Sequence, residues 1–137
     1  MDQPELSRHC IPWTPFKGKL EDATVCLVSS AGVRKKNDPP FHTEGDTTFR
    51  VIEGAGADLT YDDDHYDHAC ADEDINCIFP IDRLADLTAD GVIKRPTAKH
   101  FSYGFSMKLR DLRDDTFPKL LKEVEAVRPD IVVLTGG

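Results

Sequence analysis

"FPKLLKEVEAVRPDIVVLTGG", residues 117–137, carries two patterns that decide the fold. Phe117, Leu120, Leu121, Val124 and Val127 recur at helical spacing, so one face of a helix is apolar and the other charged. Asp114, Asp115 and Thr116, just upstream, offer capping oxygens and negative charge to its N-terminal end. Arg128-Pro129 ends the helix, because a proline disfavours helical geometry in the residue before it and has no N–H to donate. The run from Asp130 to Leu134 is then apolar without alternation, as a strand buried on both faces must be. A helix feeding a doubly buried strand is half of a β-α-β unit.

Working outward, Thr24 to Ser29 repeats the buried-strand pattern and passes into a tight turn at Ser30-Ala31-Gly32. Short strands are expected at Thr48 to Ile52 and at Ala57 to Tyr61, and Val92-Ile93 is expected to open another. Pro80 to Ala89 reads as a helix: Ile81, Leu84, Ala85 and Leu87 share a face, the proline suits a first turn, and Gly91 follows the end. Asn37-Asp38-Pro39-Pro40 is a loop, and residues 97–112 show no clear period, with Ser102 to Ser106 reading as a loop carrying aromatic anchors. The expected fold class is α/β, an open, mostly parallel sheet with flanking helices in the Rossmann-like manner and incomplete at its C-terminal end. Residues 1–22, with three prolines and no period, form an irregular arm; residues 23–137 form the α/β domain, cut off at a strand end.

At 137 residues the chain is long enough for a single core. Its 25 acidic against 17 basic residues leave a net charge of −8, and no Lys/Arg-rich stripe offsets it. That field repels nucleic acid and anionic membranes, so neither is an expected partner. The acidic start has no apolar segment behind it, and the apolar runs are far too short to span a bilayer. Four cysteines, Cys10, Cys26, Cys70 and Cys77, are expected as reduced thiols in the cytoplasm, with Cys26 a small buried hydrophobe.

The most polar stretch, Thr60 to Cys77, contains Asp63, His65, Asp67 and His68 in a D-x-H-x-D-H pattern. It is one substitution from a dinuclear zinc signature, and Cys70 and Cys77 add soft ligands. Against zinc stand the aspartate in first position and the absence of a second ligand motif; only His100 follows downstream. The pattern equally suits a polar loop whose side chains satisfy one another, or a catalytic loop without metal.

Several stretches together resemble one family: Ser29-Ser30-Ala31-Gly32-Val33, Asp38-Pro39-Pro40-Phe41, Gly45 to Arg50, His65-Tyr66-Asp67-His68, Asp74 to Leu84, and the closing Val133-Leu134-Thr135-Gly136-Gly137. In order and approximate spacing they resemble the selenoprotein B subunit of glycine, sarcosine and betaine reductases and its D-proline reductase counterpart. The likeness runs from about Trp13 onward, and "DINCIFPIDRL", residues 74–84, is its most specific part.

The resemblance implies reductive cleavage of a C–N bond α to a carboxylate in a small amino-acid-type substrate. It implies a partner subunit carrying a pyruvoyl group, a thioredoxin-like dithiol donor, and a homo- or hetero-oligomer. It further implies a selenocysteine nucleophile immediately after the position of Gly137, followed by Gly-x-Cys, so this chain lacks the nucleophile and alone is expected to be inactive. Selenocysteine is encoded by UGA, which ordinary translation reads as stop. By the same resemblance His65, Asp67, His68 and Asn76 line or brace the catalytic pocket, while Arg83, Gly136 and Gly137 meet the substrate. No metal or cofactor is expected within the chain itself. Two other readings stay open: a non-catalytic α/β interaction subunit, and a zinc-dependent hydrolase built on D-x-H-x-D-H.

Overall fold

A computed structural model describes residues 14–54 and 58–136. The first thirteen residues of the expected arm, Ala57 of the expected strand and Gly137 therefore lie outside the described residues. In chain order the elements are β1 (Thr24–Ser29), β2 (Val33–Lys35), β3 (Phe49–Glu53), β4 (Leu59–Tyr61), α1 (Ala69–Glu73), α2 (Ile81–Ala89), β5 (Arg95–Pro96), β6 (Lys99–Tyr103), α3 (Leu109–Asp111), α4 (Phe117–Ala126) and β7 (Ile131–Thr135). Short 3-10 turns occupy Leu20–Asp22 and Ile75–Cys77, and a π-helical turn, Leu112–Thr116, joins α3 to α4.

β1 is the spine of the main sheet. β7 runs parallel along one edge, from Val25↔Ile131 to Ser29↔Thr135. Along the other edge β5 and then β6 run parallel to it, and β3 lies antiparallel beyond β6. The fold is thus α/β with a mostly parallel sheet. β2 and β4 form a separate antiparallel pair. No helix among the described residues is long and apolar enough to cross a membrane.

Because successive side chains of a strand point to opposite faces, β1 serves two cores at once. Val25 and Leu27 pack with Ile52, Phe79, Ile81 and Leu84 on the α2 face. Cys26 and Val28 pack with Phe101 and with Leu120 and Val124 of α4 on the other. Cys26 is fully buried and burial pushes its thiol pKa up, consistent with a packing role.

The register along β1 slips between its two neighbours. Val25 faces Pro96 but Val28 faces Phe101, so the offset grows from 71 to 73 and two extra residues bulge out. The bulge leaves the Leu27 N–H without a strand carbonyl, and Nδ1 of His100 accepts it at 3.0 Å. His100 is buried, and desolvation pushes its pKa down from 6.5 to about 4. Only the neutral ring can accept through Nδ1, so geometry and solvation select the same state.

Three local expectations change. The strand expected at Val92-Ile93 lies instead at Arg95–Pro96, because both N–H groups of that pair turn back to the Leu87 carbonyl and close α2. Residues 99–103, in the stretch without a clear period, form the central strand β6. Asp114, Asp115 and Thr116 do not cap a helix start; they sit inside the π-helical turn that continues into α4, and Thr116 Oγ1 donates to the Thr47 carbonyl. The helix ends as expected: Arg128, at φ 50°, takes the left-handed conformation just before Pro129.

His100 makes stability depend on pH. The unfolded chain binds a proton near pH 6.5 that the folded chain refuses down to about pH 4. The contribution is complete above the unfolded value and is lost as pH falls through this window. Chemical denaturation should therefore give a protein roughly 2–3 kcal/mol less stable at pH 4.5 than at pH 7.5; a flat profile would contradict a buried neutral His100.

Candidate functional site

Ligands of open parallel sheets collect at the carboxyl ends of the strands, here the ends of β1, β6 and β7. These ends are tied together: the Ile78 carbonyl accepts from Ser29 Oγ at 3.1 Å and from Thr135 Oγ1 at 2.7 Å. Ser30 N donates to the Thr135 carbonyl at 3.0 Å. A Cβ at Gly136 would stand 3.0 Å from Ser30 Oγ, so the glycine lets the chain after β7 pass close against the β1 turn.

The polar wall of the crest comes from the segment after β4. Asp62 is clamped by Arg34, with Nε at 2.5 Å and Nη2 at 2.9 Å, and accepts the Phe41 N–H at 2.9 Å. Burial opposes the Asp62 charge, but these hydrogen bonds outweigh it and hold the carboxyl below its usual range. The next residue, buried Asp63, accepts from both His65 N at 2.9 Å and His65 Nδ1 at 2.8 Å. A carboxylate only accepts, so Nδ1 carries the hydrogen and Nε2 is left to exchange a proton. The imidazole also stacks on Phe105 at 3.7 Å, which fixes its plane.

Around this pair lies a cavity of about 450 Å³. Ser30, Asp63, His65 and Tyr66 supply its polar side, and Tyr103, Phe105, Leu109, Leu112 and Phe117 its apolar side. Tyr66 is kept a phenol, its pKa pushed up to about 12 by burial and then by the Asp63 charge. Among the described residues no Lys or Arg lines the cavity. The arrangement suits proton transfer to a ligand that is partly hydrocarbon.

The residues singled out by sequence separate. His65 lines the cavity and Gly136 adjoins it through Ser30. Asp67, His68, Asn76 and Arg83 do not line it. Asp67 accepts the Ala69 N–H at 3.0 Å at the start of α1, and His68 stacks on Tyr66 with Nδ1 3.2 Å from the Tyr61 hydroxyl. Asn76 staples the 3-10 turn to α2, donating to Asp74 and Asp82 while accepting the Asp82 N–H at 3.0 Å. Arg83 makes exposed ion pairs with Asp86 at 2.7 Å and Asp74 at 3.6 Å.

Among the described residues, the acidic and imidazole groups that approach within 4.8 Å are Asp63, Asp64 and His65; Asp67, His68, Cys70 and Cys77 stand outside that group. The sequence left Asp63 open between a mismatched zinc ligand and a member of a self-satisfying polar loop, and it stands as the hydrogen-bond partner of His65. Phe105 and Ser106 were legible only as part of a loop with aromatic anchors.

Known proteins bear on this geometry. Over 128 residues, 91% of its length, the chain is 35% identical to D-proline reductase subunit gamma of Acetoanaerobium sticklandii. This likeness supports membership in the reductase selenoprotein family. The chain spans about half of that relative, 53% of its length. No protein-family model and no solved structure matches the chain. The stretches on which the sequence resemblance rests include Ser29-Ser30, the His65 loop and Thr135-Gly136, which the fold brings to one rim.

The half-buried Arg34–Asp62 clamp and the exposed Arg83 pairs should behave differently on truncation. Arg34→Met leaves a carboxylate with little water and should cost about 2–4 kcal/mol in chemical denaturation. Arg83→Met should change stability by no more than about 0.5 kcal/mol. Equal costs would show that the clamp does not hold the His65 loop.

Proposed function

We propose that this chain is the part of a selenol- or thiol-dependent reductase subunit that presents a proton-transferring histidine to an amino-acid-type substrate undergoing reductive C–N cleavage. The observation that carries the proposal is the Asp63–His65 pair in a cavity that shares Ser30 with Gly136. The relative's name, a D-proline reductase subunit, supports the reaction class.

In this reading the nucleophile is a chalcogen that follows the position of Gly137 in the complete subunit, as the family resemblance implies. A selenolate is ionised at neutral pH and both attacks and leaves well. It attacks the α-carbon, the C–Se bond forms and the C–N bond breaks. The departing nitrogen takes the electron pair of that bond and a proton from Nε2 of protonated His65. A cysteine thiolate then attacks selenium, the carbon takes up a proton as C–H, and a Se–S bond remains. An external dithiol donates two electrons to reopen it and becomes a disulfide.

Asp63 holds the ring in one tautomer and one orientation, as a carboxylate partner does for a general acid. The apolar wall excludes water from the reacting carbon. A pyruvoyl group on a partner subunit, which the resemblance implies, would supply a carbonyl to condense with the substrate amine with loss of water, draw electrons from the α-carbon, and give the amine back on hydrolysis. The cavity, with about 450 Å³ and no cation on its wall, has room for a substrate presented in that way, and the substrate carboxylate then finds its counter-charge outside this cavity.

Two measurements test the reading. In the complete subunit assembled with its partners, His65→Gln should lower kcat for substrate-dependent dithiol oxidation about 10²–10⁴-fold; unchanged kcat removes His65 from the chemistry. The nucleotides after the Gly137 codon should read UGA and then an in-frame Gly-x-Cys. A UAA codon there, or no such frame, rejects the chalcogen assignment.

A further inference from the structure

We infer that the apolar groove between α4 and β7 is the seat of the remaining half of the subunit, which lays an aliphatic helix face into it. The inference rests on family membership and not on the reaction proposed above.

The groove holds about 570 Å³ and is lined by Val28, Tyr103 and Leu120 at its base, by Phe117 and Leu121 from α4, and by Val132 and Leu134 from β7. Among the described residues no charged side chain lines it. Leu134 is 76% exposed and Leu121 56%, although both belong to regular elements of the main sheet layer. The opposite face of β7 behaves otherwise: Ile131 and Val133 pack on the α2-side core. Parallel sheets require helices on both faces. α4 covers Val28 and Phe101, and the next position, over β7, is bare.

What covers it is indicated by length and chemistry. The relative is nearly twice as long as the part that this chain matches, so it possesses a further segment of comparable size. Phe117 and Leu121, one turn apart, form a ridge against which a neighbouring helix packs. The absence of charge calls for an aliphatic face, and a buried charge there would be costly.

Thiol accessibility tests the inference without reference to activity. Leu121→Cys and Leu134→Cys, made singly with Cys10, Cys70 and Cys77 changed to serine, should react quickly with a maleimide in this chain. The same substitutions at the aligned positions of the isolated full-length Acetoanaerobium sticklandii subunit should react at least about 100-fold more slowly, as core positions that open only by unfolding do. Glu73→Cys, at the exposed last residue of α1, serves as control and should react alike in both. Equal rates at Leu121 and Leu134 in the two proteins overturn the inference. Protection that appears in this chain itself and grows with its concentration also overturns it, because a second copy would then be the occupant.

Discussion

The hydrogen bond from the Leu27 N–H to Nδ1 of His100 lets β6 do two jobs that a regular strand could not. The chain pairs with β1 at Val25, bulges, and pairs again at Val28 in a register shifted by two residues. Without an acceptor inside the bulge, a backbone N–H would be buried unpaired, at a cost of about 1–3 kcal/mol. The imidazole supplies that acceptor. With the second register in place, Tyr103 and Phe105 arrive at the rim beside Ser30, and the Gly32 N–H meets the Tyr103 carbonyl at 3.1 Å. Both the position of β6 and the aromatic wall of the crest cavity depend on it.

That dependence also explains what the sequence concealed. β1, α4 and β7 were legible because their sequences are largely apolar. Of the helix stripe Leu120 and Val124 enter the core, whereas Phe117 and Leu121, and Val132 and Leu134 on one face of the strand expected to be doubly buried, are exposed. β6 was not legible, because "KHFSY", residues 99–103, buries His100 and Ser102 at positions where a pattern search expects hydrocarbon. Both are satisfied by main chain, since Ser102 Oγ accepts the Val33 N–H at 2.8 Å. Backbone partners of this kind are long-range, 73 and 69 residues away in sequence, and no local window contains them. The π-helical turn is similar: Asp114 and Asp115 look like caps locally, but Thr116 is drawn into the Thr47 loop and the helix runs through them.

The D-x-H-x-D-H stretch shows how a linear pattern divides in three dimensions. Alternate projection of Asp63, His65 and Asp67 to one side would hold only on an extended strand. β4 ends at Tyr61, so the segment turns instead. Asp63 and His65 go to the crest, Asp67 caps α1, and His68 stacks on Tyr66. The fold thereby makes a carboxylate–imidazole pair from a sequence that suggested a metal cage. Asp64 Oδ1 stands 3.2 Å from the same Nδ1, and Phe105 holds the ring by its face.

The crest cavity and the apolar groove are not independent. Tyr103 and Phe117 line both, and their rings meet edge to face with centroids 5.3 Å apart. Phe117 is the first residue of α4 and is 38% exposed, with one side turned to the groove. A helix seated in the groove removes the space into which Phe117 can swing, and so fixes the apolar wall of the cavity. Docking of the remaining half of the subunit would then do more than complete the hydrophobic layer. It would also set the width of the cavity beside His65, so that the site is well formed only when its supporting layer is complete.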